Sequence, residues 1–340
     1  MPGNADLRAA NTAKKDEFYT QLSDIEKELV HYREYFRDKV VFCNCDDPYE
    51  SNFFKYFALN FNALGLKKLI ATCYDGSPIA QQELPLFADE ENEPKKKAYK
   101  VEISEVPDLD GNGSTDLADV QLLLKSSDHN VKAELKQNGS FDSPESIELL
   151  KEADIVVTNP PFSLFREFLA MLDKYGKQFI IIGNTNALTY KETFRMFQLD
   201  KIRTGYTNFN VGMFFQVPDS WEKYHHIENG KKMARVSTSC WFTNLPVSRH
   251  KEELILIKKY SPEEYPKYDN YDGINVNTYT DIPCDYTGAM GVPVTFLDKY
   301  NPEQFEIIKF RKGDDDKDLT INGKSPYFRI LIRNKKPQLS

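Results

Sequence analysis

The sequence has few cysteines and no long apolar run, and these absences exclude several classes of protein. Five cysteines in 340 residues are too few and too scattered for a disulfide framework. Cys43 and Cys45 are the nearest pair, and no second Cys/His pair completes a zinc site. No apolar run approaches the roughly 18 residues of a membrane span, and no charged segment leads into an apolar one as in a secretory signal. We therefore expect a cytoplasmic protein.

Basic charge is not in excess either, since the formal net charge is -8. This value argues against a protein coated in basic residues, but a local basic stripe is enough to bind nucleic acid. A chain of 340 residues with 40% hydrophobic content can form one large globular core or two modest domains.

Residues 153–163 carry most of the functional information. Residues 155–157 are an apolar, β-branched run without alternation, which predicts a strand buried on both faces of a parallel sheet. Residues 159–162, Asn-Pro-Pro-Phe, end this strand because neither proline can donate a ladder hydrogen bond. Apolar residues then recur at helical spacing through residues 164–172, and residues 179–182 form a second apolar run. The pattern predicts a βαβ unit whose turn lies at a carboxyl end, where open α/β sheets bind ligands.

The predicted turn has the chemistry of an amine-binding site. The side-chain oxygen of Asn159 and the carbonyl of Pro160 are two acceptors on a rigid support, suited to both hydrogens of an exocyclic amino group. Accepting both N–H bonds moves a ring-conjugated nitrogen toward the tetrahedral geometry in which its lone pair attacks a methyl sulfonium. Phe162 offers a stacking face. A base inside a duplex must flip out to reach such a site, at a cost on the order of 2 to 4 kcal/mol.

Asn159, Pro160, Pro161 and Phe162 are therefore the candidate catalytic residues. The alternative interpretation is a structural Pro-Pro turn with an Asn or Ser that caps the following helix.

A second βαβ unit is predicted nearer the amino terminus, with strands at 40–43 and 69–73 around a helix at 53–64. Asp46 and Asp47 follow its first strand, where they suit the cationic methionine amino group or the ribose of a nucleoside cofactor. The alternative is that these acids cap the following helix. This unit contains no Gly-x-Gly, which weakens the case for a dinucleotide-binding dehydrogenase.

Several segments lie outside these two units. Residues 1–15 are a polar tail, and residues 16–36 predict a long amphipathic helix. Residues 76–130 contain prolines and charge runs and are predicted to be an exposed insertion. Within it, residues 108–119 have the spacing of a Ca²⁺-binding loop, although Asp replaces Glu at the last position. The alternative is an Asp/Gly-rich turn that caps a helix, and no catalytic metal is predicted.

The middle of the chain adds one further cofactor candidate and two strands. Phe141 and Asp142 suit the stacking and hydrogen bonding of an adenine ring. Residues 211–215 and 234–242 predict a hairpin that closes the sheet antiparallel. We interpret the basic stretch near and between these strands as ordinary surface; it contains His225, His226, Lys231, Lys232 and Arg235.

Composition changes again after residue 245. Arg249, His250 and Lys251 form a basic trio, tyrosines alternate with lysines and asparagines, and residues 329–333 predict a basic strand. Such loops suit contacts with phosphates and base edges, and they suit an ordinary polar surface equally well.

These residues resemble the EcoRI-type DNA adenine-N6 methyltransferases over nearly the full chain. Asn-Pro-Pro-Phe alone is shared with methyltransferases that act on RNA or on protein glutamine. Residues 44–48, Asn-Cys-Asp-Asp-Pro, and residues 240–245, Cys-Trp-Phe-Thr-Asn-Leu, are narrower signatures. The resemblance rests on residues 16–20, 44–57, 153–165, 181–184, 240–245 and 291–300.

The resemblance implies an α/β fold, a Rossmann-like S-adenosylmethionine-dependent methyltransferase sheet with an insertion and a C-terminal recognition region. It implies a catalytic domain at residues 16–245 and a DNA target-recognition region at residues 246–340. By position it assigns the cofactor to Phe18, Tyr19, Thr20, Asp46, Asp47 and Asp142, and we assign DNA contacts to Arg249, His250 and Lys251.

We therefore expect site-specific methyl transfer from S-adenosylmethionine to N6 of a flipped adenine in double-stranded DNA. Direct displacement requires no covalent enzyme intermediate and no metal. The expected setting is a restriction-modification or orphan modification system, in the first case with a companion restriction endonuclease acting on the same site. Two alternatives are an RNA adenine methyltransferase and a catalytically silent DNA-binding protein of the same fold.

Overall fold

The structure is a computed structural model that describes residues 19–45, 51–73, 98–125, 131–217, 219 and 221–338. Among these residues, none of the helices has both the length and the apolar character required to cross a membrane. Internal contacts divide the chain into two compact units. Unit 1 contains Met1–Asn184 and Gly205–Thr243, and unit 2 contains Thr185–Thr204 and Asn244–Ser340.

The described residues form strands, α-helices and short 3-10 helices. The strands are β1 (Tyr19–Thr20), β2 (Val40–Asn44), β3 (Lys68–Cys73), β4 (Tyr99–Ile103), β5 (Val131–Glu134), β6 (Ile155–Thr158), β7 (Gln178–Asn184), β8 (Arg203–Thr204), β9 (Met213–Gln216), β10 (His226–Glu228), β11 (Lys231–Val236), β12 (Ser239–Thr243), β13 (Gly273–Asn275), β14 (Ala289–Pro293), β15 (Phe305–Phe310) and β16 (Arg329–Asn334). The α-helices are α1 (Leu22–Leu29), α2 (Asn52–Leu59), α3 (Phe61–Leu64), α4 (Leu117–Lys125), α5 (Pro144–Glu152), α6 (Phe165–Lys174) and α7 (Lys191–Gln198). The 3-10 helices are Val30–Phe36, Phe162–Leu164, Thr185–Thr189, Ser248–Lys251, Tyr279–Asp281 and Val294–Lys299.

The main sheet of unit 1 has the strand order β5-β4-β3-β2-β6-β7-β12. Its four central strands, β3, β2, β6 and β7, are parallel, and β4, β5 and β12 are antiparallel to their neighbours. The apolar runs predicted as strands at 40–43 and 155–157 are confirmed, and they are buried throughout. Burial on both faces is the reason why these strands lack polar alternation.

The strand order reverses direction between β2 and β6. The chain leaves β2 through α2 and α3 to reach β3 on one side, and it leaves β6 through α6 to reach β7 on the other. The two connections diverge at the carboxyl ends of β2 and β6. A crevice at such a point is where open α/β sheets bind ligands.

The predicted helix at 16–36 is shorter than expected within the described residues. Helix α1 ends at Leu29 and continues as 3-10 turns to Phe36. Its predicted apolar stripe is nevertheless buried, since Ile25, Leu29 and Tyr32 are all fully covered. The pattern therefore predicted the buried face correctly. It did not predict that residues 30–36 form 3-10 turns instead of an α-helix.

Two predictions about the sheet need correction. Part of the predicted exposed insertion, β4, pairs with β3 in the main sheet, and its Val101 and Ile103 are fully buried. The predicted hairpin does not close the main sheet: β9 and β11 pair antiparallel in a second sheet of order β1-β9-β11-β10. Only β12 joins the main sheet, beside β7. The strand predicted at 234–242 is divided at residues 237–238, which contain no glycine or proline to mark the break.

Unit 2 contains a third sheet of order β13-β14-β16-β15. The predicted strand at 329–333 is confirmed as β16, which lies between β14 and β15 and pairs antiparallel with both. Helix α7 packs on β15, where the rings of Phe194 and Phe310 lie 5.1 Å apart and Gln198 Nε2 donates to the carbonyl of Ile308 over 3.0 Å. Residues 185–204 are therefore part of unit 2, although the sequence placed them in the catalytic domain.

Candidate active site

The Asn-Pro-Pro-Phe turn begins directly after β6, at the reversal of strand order. Thr158, the last residue of β6, donates its hydroxyl hydrogen bond to the carbonyl of Asn44, the last residue of β2. This bond joins the carboxyl ends of the two strands. Asn159 is half-buried and Pro160 is buried, so the turn is a supported part of the fold rather than an exposed loop.

The turn does not cap the helix that follows it. Residues 162–164 form one 3-10 turn, in which the Leu164 amide donates to the carbonyl of Pro161 over 2.9 Å. Leu164 is the N-cap residue of helix α6, and its side chain accepts no capping hydrogen bond. The capping alternative for Asn159 therefore has no support from the start of α6.

The aromatic face of the site is positioned by the second sheet. The ring of Phe162 meets the ring of Phe215 edge to face, with centroids 6.2 Å apart and an interplanar angle of 84°. Phe215 is fully buried on β9. Its strand neighbour in β1 is Thr20, which pairs with it antiparallel. The second sheet thus places Tyr19 and Thr20 of β1 beside β9, and their assignment to the cofactor stays a prediction.

Residue Thr20 also touches the helix that follows β2. The side-chain amide of Asn52 donates to the Thr20 carbonyl over 2.7 Å. Ser51 caps α2 by accepting from the amides of Phe53 and Phe54 at 3.1 and 3.3 Å. The start of α2, strand β1 and the Phe162 turn therefore surround one edge of the main sheet.

Two buried polar atoms at this edge have no hydrogen-bond partner among the described residues: Asn44 Nδ2 and Thr20 Oγ1. The oxygen of the Asn44 side chain is used, since it accepts from Thr72 Oγ1 at 3.2 Å. Cys45, directly after Asn44, has a φ of 76°, a conformation that non-glycine residues adopt at a cost of about 1 to 3 kcal/mol. An unpaired donor and backbone strain at a strand end are typical of a site that binds a polar ligand.

Three of the predicted cofactor residues, Phe18, Asp46 and Asp47, lie outside the described residues. Asp142 is described and exposed, and it accepts from Ser140 Oγ over 2.5 Å. It directly precedes the cap of α5, and α5 leads back into β6, so Asp142 lies toward the carboxyl ends of the strands. The ring of Phe141 is buried and packs edge-on against Phe168, at 5.2 Å between centroids.

The basic trio of unit 2 lies in a single 3-10 turn, and only Lys251 is exposed. His250 is buried, with Nδ1 2.9 Å from the carbonyl of Tyr300 and Nε2 3.2 Å from the carbonyl of Thr204. Burial lowers the pKa of His250 below its ordinary value. Arg249 forms an ion pair with Asp298. The structure thus uses Arg249 and His250 inside unit 2, which residue type alone does not indicate.

The loop at 108–119 brings the carboxylate oxygens of Asp108, Asp110 and Asp119 within 4.8 Å of one another. Asp119 is buried and accepts from the backbone amides of Asp116, Leu109 and Asp110, and these hydrogen bonds lower its pKa. The carboxylate therefore orders the loop and the first turn of α4, as expected for an acidic turn that caps a helix.

Sequence reasoning missed two contributors to the site, Asn44 and Phe215. Asn44 was visible as the polar residue that ends an apolar strand run. Phe215 carried no local signal, because its role depends on the pairing of β9 with β1 and on its contact with Phe162.

A sheet with parallel central strands and a buried turn at the reversal of strand order is typical of α/β proteins that bind nucleosides. The family model described as adenine-specific methyltransferase EcoRI matches residues 6–335. The chain therefore belongs to this family of adenine-specific methyltransferases.

Individual relatives show the same relationship over nearly the whole chain. The Type II methyltransferase M.EcoRI of Escherichia coli is 51% identical over 338 residues, which cover 98% of this chain and 97% of the relative. M.MpnI of Mycoplasma pneumoniae is 38% identical over 350 residues, covering 96% of this chain and 97% of the relative. M.MgeORF184P of Mycoplasma genitalium is 36% identical over 353 residues, covering 96% of this chain and 98% of the relative. No solved structure matches the chain.

Proposed function

We propose that this family member transfers a methyl group from S-adenosylmethionine to N6 of an adenine flipped out of a specific site in duplex DNA. Family membership makes the chain an adenine-specific DNA methyltransferase, and its relatives carry the name Type II methyltransferase. The observation that supports the finer reaction is the position of the Asn-Pro-Pro-Phe turn where the strand order reverses, with Phe162 against β9. The main sheet is, in this proposal, a Rossmann-like methyltransferase sheet.

The turn would bind the target adenine through its amino group and its ring. Asn159 Oδ1 and the Pro160 carbonyl accept the two N6 hydrogens, and the ring stacks on Phe162. Pro161 keeps the chain extended between these groups, since its φ is -53° and its ψ is 126°. With both hydrogens held, the N6 lone pair points away from the ring plane and toward the methyl donor. Once methylated, N6 is cationic and releases one of its two protons to solvent, so no strong base is required.

The residues present fit S-adenosylmethionine, which supplies an electrophilic methyl group on a sulfonium. The unpaired donor Asn44 Nδ2 and the hydroxyl of Thr20 are suited to the oxygens of its amino acid or ribose parts. Asp142 would accept from its adenine amino group. By the resemblance to the family, Phe18, Tyr19, Asp46 and Asp47 complete this set.

Binding duplex DNA would involve both the catalytic turn and unit 2. Stacking on Phe162 would return about 1 to 3 kcal/mol of the cost of flipping the base. Residues 246–340 would recognise the target, and the exposed Lys251 would contact a phosphate. A companion restriction endonuclease acting on the same site is the proposed partner.

The substitution Asn159→Ala tests the proposed role of the turn. Losing one of two acceptors for N6 should reduce methyl incorporation into duplex DNA by a factor on the order of 100 or more. The affinity for S-adenosylmethionine, measured by titration calorimetry, should stay close to that of the wild type. Asn112→Ala is the matched control, because the hydrogen bonds that Asn112 forms with other described residues lie within the loop at 108–119.

Wild-type turnover in Asn159→Ala would refute the role of the turn. Competition between duplex DNA and structured RNA in the same assay identifies the substrate. Preferential methylation of the RNA would mean that RNA, and not duplex DNA, is the substrate. A wild-type chain that methylates neither duplex DNA nor RNA would be a catalytically silent DNA-binding protein.

A further inference from the structure

The second sheet has two different faces, and only one of them is explained by the catalytic turn. Phe215 on β9 pairs with Ala234 on β11, and both are buried on the face that meets Phe162. Phe214 pairs with Arg235, and because side chains alternate along a strand, these two project from the opposite face. This opposite face has no role in the reaction proposed above.

The opposite face carries an ordered group of aromatic and basic side chains, here termed the cationic strip: Phe214, His225, His226, Lys231 and Arg235. The Phe214 ring lies edge-on to both imidazoles, with centroids 5.2 and 5.3 Å apart. The two Nδ1 atoms of the histidines are 3.0 Å apart. Arg235 Nη2 donates to the carbonyl of Val211 over 3.0 Å, which fixes the guanidinium while the residue remains exposed. The aromatic rings and the Arg235 guanidinium of the strip are therefore positioned before any ligand binds.

The strip carries more basic than acidic side chains, and the carboxylate of Glu228 lies beside His226 and opposite Lys231 in the strand register. In residues 223–235 there are four lysines and arginines and one acid, Glu228, although the net charge of the chain is -8. Neither Lys231 nor Arg235 forms an ion pair with a carboxylate in the described part of the chain, and Glu228 lies 3.8 Å from His226. Elsewhere in unit 1, the half-buried Lys68 is neutralised by Glu152 at 2.8 Å. Cations in excess over carboxylates, beside an aromatic ring, are suited to phosphate and deoxyribose.

We propose that the cationic strip binds the phosphodiester backbone of the DNA duplex next to the flipped adenine. This inference rests on the proposed function, because that function supplies the duplex at this unit. Since β9 contacts the Phe162 turn through Phe215 and the strip through Phe214, one strand links base capture to backbone binding. The contacts are to phosphate, so the strip contributes affinity and register but no sequence specificity.

The test is the salt dependence of DNA binding in the double variant Lys231→Gln/Arg235→Gln. The dissociation constant for a fluorescein-labelled duplex that the wild type methylates is measured by anisotropy across a series of KCl concentrations. Each lost phosphate contact reduces the slope of log affinity against log salt by about 0.9, so the double variant should lose about 1.8. Turnover at saturating DNA should remain near the wild-type value, because neither residue touches the adenine.

Lys67→Gln/Lys174→Gln is the matched control. It removes the same charge from two exposed lysines, Lys67 directly before β3 and Lys174 at the end of α6, which lie toward the amino ends of the parallel strands. Its salt slope should equal that of the wild type. Calorimetric titration with S-adenosylmethionine verifies that all variants are folded.

Two results would overturn the proposal: an unchanged slope in Lys231→Gln/Arg235→Gln, or an equal loss of slope in the control. If the wild type is active, either result leaves the proposed methyl transfer intact and refutes only the proposed role of the cationic strip. A wild type that does not methylate DNA would instead refute the proposed function, and the strip would lose its ligand.

Discussion

Glu28 shows how a single buried residue can organise a loop. Its carboxylate accepts from the amides of Tyr206 and Thr207, both at 2.7 Å, from Thr207 Oγ1 at 2.6 Å and from the Tyr32 hydroxyl at 2.9 Å. Burial raises the pKa of Glu28, and these hydrogen bonds oppose that shift. The loop fixed in this way leads directly into β9, which carries Phe214 and Phe215.

The substitution Glu28→Ala should be strongly destabilising. It leaves the amides of Tyr206 and Thr207 without their acceptor, and unsatisfied buried donors cost about 1 to 3 kcal/mol each. The urea midpoint for unfolding should fall accordingly, with a smaller loss for Glu28→Gln, which keeps one acceptor oxygen. Equal midpoints for Glu28→Ala and the wild type would contradict the anchoring role.

His250 should make stability depend on pH. Burial lowers the pKa of His250 in the folded chain, so the unfolded chain binds more protons below the ordinary histidine pKa of about 6.5. The contribution of His250 to stability is therefore present above that pH and is lost as the pH falls through the ordinary value. Urea unfolding between pH 7.5 and pH 5.5 measures it, where both limits are roughly one unit from that value. The decline should be shallower in His250→Gln, and parallel declines would disprove the assignment.

At the scale of elements, helix α6 approaches strand β7 closely because β7 contains a glycine. A Cβ on Gly183 would lie 2.4 Å from Phe165 Cε2 and 2.8 Å from Phe165 Cζ. Phe165 is the first residue of α6 and follows the Asn-Pro-Pro-Phe turn by three positions. Any displacement of Phe165 therefore changes the support of the turn.

Gly183→Ala should cost about 1 to 3 kcal/mol through overpacking and should also reduce turnover, because the start of α6 must move. The second substitution Phe165→Leu should restore part of both losses by removing the clashing ring. A double-mutant cycle in urea unfolding and methyl transfer measures this coupling. Purely additive losses would show that the two residues act independently.

At the scale of the whole molecule, the chain passes from one unit to the other after Asn184, Thr204 and Thr243. Unit 2 is therefore assembled from two separate segments, and α7 belongs to it through the contact of Phe194 with Phe310. A boundary drawn once near residue 245 does not divide the molecule into two independent parts.

Removing residues 246–340 should therefore yield a chain that aggregates rather than an isolated catalytic domain. Phe194 is 5% exposed in the full chain and would lose the aromatic ring of Phe310. Light scattering with size exclusion, and proteolysis across residues 185–204, compare the truncated and full chains. A monodisperse truncated chain with protected residues 185–204 would disprove the expectation.

By itself, the sequence determined the buried strands at 40–43 and 155–157, the turn at 159–162 between strand and helix, and the family. Each of these features depends on neighbouring residues, whose side-chain period and proline content restrict the backbone locally. Only the tertiary structure decided that β1 lies beside β9, that Phe215 faces Phe162, that β4 joins the main sheet and that His250 is buried. These features join residues far apart in the chain, and a polar or aromatic side chain has the same local signature whether its partner is solvent, a ligand or another strand.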